Sequence, residues 1–213
     1  MLLKRGFEVR GTDSTDSPAI DELRRAGAEV WIGHTGASVR PGDAVVLSDA
    51  IDLTESPEVA KARSVGARIF RRSQLLGHLL SGRRLIAVTG THGKTTTTGM
   101  IGAALSSAGL DPTIVVGAEV PQFGGAVVVG SGEWAVAEAC EAYDSFHDLS
   151  PEIVVLTNLE PDHLDFHGDY IALKESVSRF CNRATMALVY CQEDPGAREV
   201  AQSHSGDCRA YDN

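Results

Sequence analysis

Residues 90–98 combine two glycines, one lysine and five threonines, a composition suited to holding a phosphate group. The apolar run 85–89 before them predicts a strand, and residues 95–108 predict a helix. Glycines let the backbone approach a phosphate closely, and the unpaired N–H groups at a helix start favour an anion. Lys94 adds a charge for the outer phosphates, and Thr95 offers a hydroxyl to a magnesium ion. The segment predicts a nucleotide site formed by Gly90, Thr91, His92, Gly93, Lys94, Thr95 and Thr96.

This loop is a shorter variant of the standard phosphate-binding pattern. The standard pattern has a glycine where this chain has Val88. A structural glycine turn that carries a surface lysine is the alternative interpretation. The strand before the loop and the helix after it favour nucleotide binding, with Lys94 as a catalytic residue.

Strands and helices alternate on both sides of the loop, which predicts βα units and a mostly parallel sheet. Before it, strands are predicted over residues 7–11, 28–32, 43–48 and 68–70, and helices over 1–5, 18–26, 57–65 and 73–80. After it, strands are predicted over 113–116, 126–129, 134–138, 153–157 and 187–190, and a helix over 170–182. The polar link at residues 81–84 divides a domain over 1–84 from a second domain over 85–213.

Both domains are expected to be incomplete. A sheet domain of this type begins with a strand and a phosphate turn, whereas this chain begins with the predicted helix that would follow them. At the other end, the chain stops at residues 211–213 with no capping element. The chain is therefore interpreted as a fragment, and two compact domains with frayed termini are the alternative.

Composition narrows the class of protein. The net charge is −10. This argues against a nucleic-acid partner, because such a partner would require a clustered basic face. The cysteines Cys140, Cys181, Cys191 and Cys208 form no CxxC pair and are expected to be free thiols. No apolar run reaches the roughly 18–20 residues of a membrane span. The charged N-terminus does not suit a signal peptide, so a cytoplasmic protein without a membrane segment is expected.

Three segments resemble the Mur ligase family, and they occur in the family's order. Residues 89–98, TGTHGKTTTT, are similar to the family's ATP loop. Residues 137–146, AEACEAYDSF, are similar to its AEADESDxSF segment, and residues 157–165, TNLEPDHLD, to its TNxxxDHxD segment. The resemblance extends over nearly the whole chain. It implies an α/β protein with an incomplete Rossmann-like N-terminal domain and a P-loop-type central ATPase domain built on a mostly parallel sheet.

The resemblance also implies roles for residues after the loop. Glu138 and His163 are expected to bind magnesium together with Thr95 and to act in catalysis. Asn158 and Asp162 are expected to shape the nucleotide site. Glu141 matches a second acid of the family, whereas Cys140 and Tyr143 stand where the family usually has Asp.

Two further residues near these motifs are expected to have no role in the chemistry. His167 lies in a segment with Gly168 that is predicted to be a turn, and it is interpreted as an ordinary residue. Several Mur ligases carry a carbamylated lysine about where Val177 stands, and Lys174 is out of register with it.

In the family, the first domain holds the UDP part of the substrate. The segments of this chain that resemble that site are residues 11–13 (GTD), 33–34 (GH), 48–51 (SDAI) and 71–72 (RR). Turn chemistry alone is the alternative explanation of these short matches.

The resemblance implies ATP-driven amide formation with Mg²⁺, through an acyl phosphate. A histidine at position 92 of the loop is most similar to the branch of the family that adds L-alanine to UDP-N-acetylmuramate, or to its relative that reattaches recycled peptide. A nucleotide-binding fragment without ligase activity and an unrelated P-loop ATPase are further alternatives. A dinucleotide oxidoreductase would need a GxGxxG motif, which the sequence lacks. The oligomeric state stays open.

Overall fold

The computed structural model describes residues 1–162 and 164–212. The chain forms two compact units, Met1–Leu75 and Leu76–Asn213. The division lies within helix α3 (Arg72–Leu80), ahead of the boundary predicted near residue 84. That boundary stays a prediction.

The first unit contains two separate pairs of parallel strands. Strand β1 (Arg10–Asp13) pairs with β2 (Glu29–Ile32), and β3 (Ala44–Leu47) pairs with β4 (Arg68–Arg71). The helices of this unit are a 3-10 helix over Leu3–Arg5, α1 (Pro18–Arg25) and α2 (Pro57–Val65).

Local signals set the ends of α1 and α2. The Ser17 hydroxyl accepts a hydrogen bond from Ile20 N, and the Ser56 hydroxyl accepts one from Val59 N. Each cap is followed by a proline, whose missing N–H costs nothing at the first helical position. The predicted helix over 57–65 is confirmed, and α1 ends one residue before its predicted end at 26.

The first strand lies further along the chain than the sequence predicted. The sequence predicts a strand over residues 7–11, but β1 begins at Arg10 and includes both Thr12 and Asp13. Thr12 is in register with Trp31, and Asp13 with Ile32. The partner strand decides this register, and polar residues can take part in such a ladder as long as their backbone groups pair.

The second unit is built on a seven-stranded sheet with the order β11-β10-β9-β5-β8-β6-β7. Every strand pair is parallel except β6 and β7, which are antiparallel at one edge. The predicted α/β class with a mostly parallel sheet is confirmed. The strands are β5 (Arg84–Thr89), β6 (Thr113–Val120), β7 (Gly125–Val128), β8 (Trp134–Glu138), β9 (Ile153–Leu156), β10 (Ala187–Cys191) and β11 (Cys208–Tyr211).

Helices cover the sheet and connect its strands. The α-helices are α4 (Lys94–Ser107), α5 (Leu164–His167), α6 (Tyr170–Cys181) and α7 (Pro195–Gln202), and 3-10 helices span Pro121–Phe123 and Ala142–Asp148. Two of them differ from the prediction. Helix α5 replaces the turn expected around His167, and α7 was not predicted, although Asp194 caps it by accepting from Ala197 N.

The core of the second unit lies on and around β5, the central strand. Ile86, Val88, Val136 and Val155 form a buried cluster, against which Ile101 of α4 packs. A strand buried on both faces needs an uninterrupted apolar run, which is what residues 85–88 provide. No helix among residues 1–162 and 164–212 is both long and apolar enough to cross a membrane.

Two glycines of α4 differ in the space around them, and this yields a stability prediction. A Cβ at Gly102 would lie 2.6 Å from Ile114 Cδ1, whereas a Cβ at Gly99 would meet its nearest neighbour, Phe123, at 3.8 Å. We expect Gly102→Ala to lower the free energy of unfolding by about 1 kcal/mol or more, because overpacking outweighs the gain in helix propensity. Chemical denaturation measures this.

The matched control is Gly99→Ala, which should leave stability unchanged or raise it by up to about 1 kcal/mol. Ile114→Val should recover part of the loss caused by Gly102→Ala. Equal stabilities for the two alanine variants would contradict the close contact between α4 and β6.

Candidate functional site

The predicted phosphate loop, residues 90–93, connects the carboxyl end of β5 to the first residue of α4. Gly90 has a φ of 130° and Gly93 a φ of 81°, a region that favours glycine. A Cβ at Gly90 would lie 2.3 Å from Thr157 Oγ1 and 2.7 Å from the Asn158 carbonyl oxygen. Gly90 is therefore required by conformation and by its close approach to the segment that follows β9.

Two residues of that segment hold the loop in place. The Thr157 hydroxyl lies 2.7 Å from the His92 carbonyl oxygen and 3.2 Å from that of Thr89. The Asn158 amide brackets the His92 backbone: its oxygen accepts from His92 N at 2.8 Å, and its nitrogen donates to His92 O at 3.0 Å. Asn158, a predicted nucleotide contact, thus shapes the loop directly.

Lys94, at the start of α4, turns its ammonium back into the loop. Its Nζ donates to the carbonyl oxygen of Gly90 at 2.5 Å and lies 3.3 Å from that of Thr91. The same nitrogen lies 3.1 Å from each carboxylate oxygen of Glu141. The Glu141 side chain is 2% exposed and that of Lys94 is 16% exposed, so the pair is almost fully shielded from solvent.

Glu138 ends β8 and faces a glycine on the neighbouring strand. Its Oε2 accepts a hydrogen bond from Gly117 N at 2.7 Å. Its Oε1 is buried and has no hydrogen-bond partner among the described residues. A Cβ at Gly117 would lie 2.2 Å from Oε2, so this carboxylate position depends on glycine there.

The unpartnered oxygen of Glu138 suits a hard divalent cation. A buried carboxylate oxygen that lacks a protein partner calls for a ligand, and magnesium prefers oxygen donors. The hydroxyl of Thr95, half-buried in the first turn of α4, is the second predicted donor. The third, His163, lies outside the described residues. Within those residues, no group of three Asp, Glu, His or Cys side chains is close enough to hold a metal ion.

Cys140 lies between Glu138 and Glu141 in sequence, and both carboxylates influence the pKa of its thiol. Burial raises the pKa of Cys140, and the negative charges of Glu141 and Glu138 raise it further. The thiol therefore stays protonated near neutral pH and does not replace, as a thiolate, the aspartate that the family usually has there.

The sequence did not reveal two structural features near the buried pair. His167, interpreted as ordinary, lies with Nε2 3.0 Å from the Glu141 carbonyl oxygen and so supports the backbone beneath the buried pair. Tyr143 and Asp144 have φ values of 56° and 54°, a left-handed conformation that is strained for residues other than glycine. The Asp144 carboxylate accepts from the Ser176 hydroxyl, which helps to fix this turn.

A cleft of about 450 Å³ opens beside the loop. Its far wall comes from the start of α7 and the end of β11, which the sequence did not connect with the site. Asp194 also accepts from Leu159 N at 3.0 Å, and this bond joins the α7 cap to the segment after β9. Lining residues include His92, Thr97, Asn158, Glu193, Asp194 and Tyr211.

Lys174 and Val177, the two residues compared with the carbamylated lysine of other Mur ligases, both belong to helix α6. The Lys174 ammonium pairs with the carboxylate of Glu199 at 2.6 Å on the surface of α6 and α7. Val177 is fully buried in α6.

In the first unit, the segments predicted to hold UDP form two hydrogen-bonded groups. The buried Glu58 carboxylate lies 3.1 Å from the Thr12 hydroxyl and 3.3 Å from His34 Nδ1. Arg71 donates to the carbonyl oxygens of Ser48, Asp49 and Ile51 at 3.1, 3.3 and 2.7 Å. Glu58 was not singled out from the sequence, because its position in the first turn of a helix does not reveal these distant partners.

Sequence-family comparison covers both units. Residues 88–211 match the model of the Mur ligase middle domain, and residues 1–84 match the Mur ligase family catalytic domain. A UDP-N-acetylmuramate–L-alanine ligase of Arthrobacter sp. (strain FB24) is 41% identical over 204 residues, which are 95% of this chain and 44% of that protein. The chain spans less than half the length of that relative.

Solved structures give the same picture of the fold. The UDP-N-acetylmuramate–alanine ligase of Thermotoga maritima superposes with a TM-score of 0.84 at 26% identity, covering 92% of this chain and 46% of that one. A UDP-N-acetylmuramate:L-alanyl-γ-D-glutamyl-meso-diaminopimelate ligase from Neisseria meningitides has a TM-score of 0.85 at 24% identity, covering 100% and 72%. The second likeness shows the fold alone. With its glycine-rich loop, its mostly parallel sheet and a matching middle domain over more than half of its length, the chain belongs to the Mur ligase family.

Proposed function

We propose that this chain is the ATP-binding part of a ligase that joins L-alanine to UDP-N-acetylmuramate. The observation that carries the proposal is the 41% identity, over 95% of the chain, to a relative named for that reaction. The Lys94 loop and the Glu138 carboxylate supply the site chemistry that such a reaction needs. A cytoplasmic location goes with these substrates.

The reaction consists of two substitutions. A substrate carboxylate oxygen forms a bond to the γ-phosphorus of ATP, and ADP leaves with the electrons of the broken P–O bond. The alanine amine then attacks the acyl carbon of the resulting acyl phosphate, loses a proton, and displaces inorganic phosphate. Both steps need a phosphate group that is held in position and whose charge is offset.

Different residues of this chain would position the phosphate groups and offset their charge. The backbone N–H groups at the start of α4 and the ammonium of Lys94 bind the outer phosphates. Thr157 and Asn158 fix the loop that presents those groups. Glu138 and Thr95, together with His163, would hold Mg²⁺, which when bound offsets the charge of the phosphates.

Two alternatives use the same nucleotide site. One is ligation of a recycled peptide to UDP-N-acetylmuramate, and the other is nucleotide binding without ligation. The test is phosphate release from ATP, measured with UDP-N-acetylmuramate and either L-alanine or a peptide, in a protein of the relatives' full length that contains this chain. We expect L-alanine-dependent release. Release only with the peptide would support the recycling reaction, and ATP binding without release would support the second alternative.

Substitution of Lys94 tests the loop itself. We expect Lys94→Ala to weaken ATP binding by about tenfold or more, because a charge-assisted hydrogen bond contributes roughly 1.5–3 kcal/mol. Titration calorimetry with this chain measures the change, and thermal unfolding of the same samples checks that the variant is folded. Lys174→Ala is the control, since its ammonium pairs with Glu199 on the surface. Equal losses for both variants would refute the role of Lys94.

Substitution of Glu138 tests the magnesium site. We expect ATP to bind wild-type chain more tightly with Mg²⁺ than with EDTA, and Glu138→Gln to abolish that difference while leaving binding in EDTA unchanged. The physical reason is that an amide is a much weaker ligand for magnesium than a carboxylate. Glu133→Gln is the control, because Glu133 is an exposed acid near the opposite end of β8. A persistent magnesium effect in Glu138→Gln would rule out this assignment.

A further inference from the structure

The hydrogen-bonding capacity of Lys94 is used up inside its own unit. An ammonium group has three N–H donors and no acceptor. Acceptors surround Lys94 Nζ in the loop carbonyls of Gly90 and Thr91 and in both oxygens of Glu141. A phosphate that reaches Lys94 must therefore replace at least one of these partners.

Of these partners, Glu141 is destabilised most when the Lys94 ammonium moves away. Its side chain is 2% exposed, and a buried carboxylate depends strongly on nearby positive charge. Its backbone is also fixed, because its carbonyl oxygen accepts from His167 Nε2 at 3.0 Å and from Asp144 N at 3.2 Å. Glu141 is thus held in place when the flexible Lys94 side chain moves toward a ligand.

We propose that Glu141 is a positioning residue that acts through Lys94 as an internal counter-anion and competes with the phosphates of ATP for its ammonium. This inference rests on the proposed function, in which ATP binds at the loop. Without nucleotide, Glu141 keeps the lysine ammonium folded against the loop. ATP binding transfers the ammonium from a carboxylate to a phosphate, so part of the attraction between Lys94 and ATP is offset by the loss of the buried pair.

The competition predicts that a conservative change at Glu141 strengthens the binding of ATP. Glu141→Gln keeps the shape of the side chain and one carbonyl acceptor for Lys94, but it removes the negative charge. We expect this variant to bind ATP about tenfold more tightly than wild-type chain in EDTA, which is about 1.4 kcal/mol. A purely structural role for Glu141 predicts weaker binding instead, because the loop would lose its support.

Calorimetric titration of ATP in EDTA into wild type, Glu141→Gln, Lys94→Ala and the double variant tests the proposal. The gain from Glu141→Gln should disappear when Lys94 is already alanine, because Glu141 acts through the ammonium. Glu160→Gln is the charge-matched control: this acid is near the loop, but its side chain is 62% exposed and its carboxylate lies 3.9 Å from His92 Nε2. It should change ATP affinity less than twofold.

Each outcome decides the question. Unchanged or weaker binding by Glu141→Gln, when wild-type chain binds ATP, would overturn the inference and leave the proposed function standing. An equal gain in the Lys94→Ala background, or with Glu160→Gln, would show general charge repulsion and would also overturn it. Binding of ATP by Glu141→Gln but not by wild-type chain would support the inference. Absence of ATP binding by both proteins would overturn the inference together with the proposed function.

Discussion

The close approach of Gly90 to the end of β9 is the contact on which the rest of the site depends. With no side chain on Gly90, the Thr157 hydroxyl and the Asn158 amide reach the loop backbone and fix its course at His92. That course sets the direction of the first turn of α4 and the place of Lys94. A larger residue at position 90 would separate the loop from β9. The Lys94 ammonium and the N–H groups of α4 would then no longer be directed at the same place.

Strand order explains why residues distant in sequence meet at this loop. Strand β5 is central, with β8 on one side and β9 on the other. In a parallel sheet the carboxyl ends of neighbouring strands share one edge, so the segments after all three strands lie together. The loop, the acids at 138 and 141, and the residues at 157 and 158 are therefore products of one topological arrangement rather than of separate local choices.

Charge in the site is arranged before any ligand binds. Lys94 and Glu141 are paired away from solvent, and Glu138 keeps one buried oxygen without a protein partner in the described chain. Buried charges are costly unless they are paired, so such groups are retained where a function requires them. The two carboxylates are therefore proposed to differ in role: Glu141 has Lys94 as an internal cation, whereas Glu138 would bind an external one.

The sequence by itself determined the features that depend on near neighbours. The glycine loop, the caps of α1 and α2 and the apolar strand over residues 85–89 follow from residues a few positions apart, whose conformations and hydrogen bonds are local. Tertiary structure decided the rest. The register of β1 depends on β2, and the pairing of Lys94 with Glu141 joins the start of α4 to the segment after β8. His167 reaches the Glu141 carbonyl oxygen from α5, a helix 26 residues further along the chain. Such contacts depend on strand order and burial, which a linear pattern of residue types does not specify.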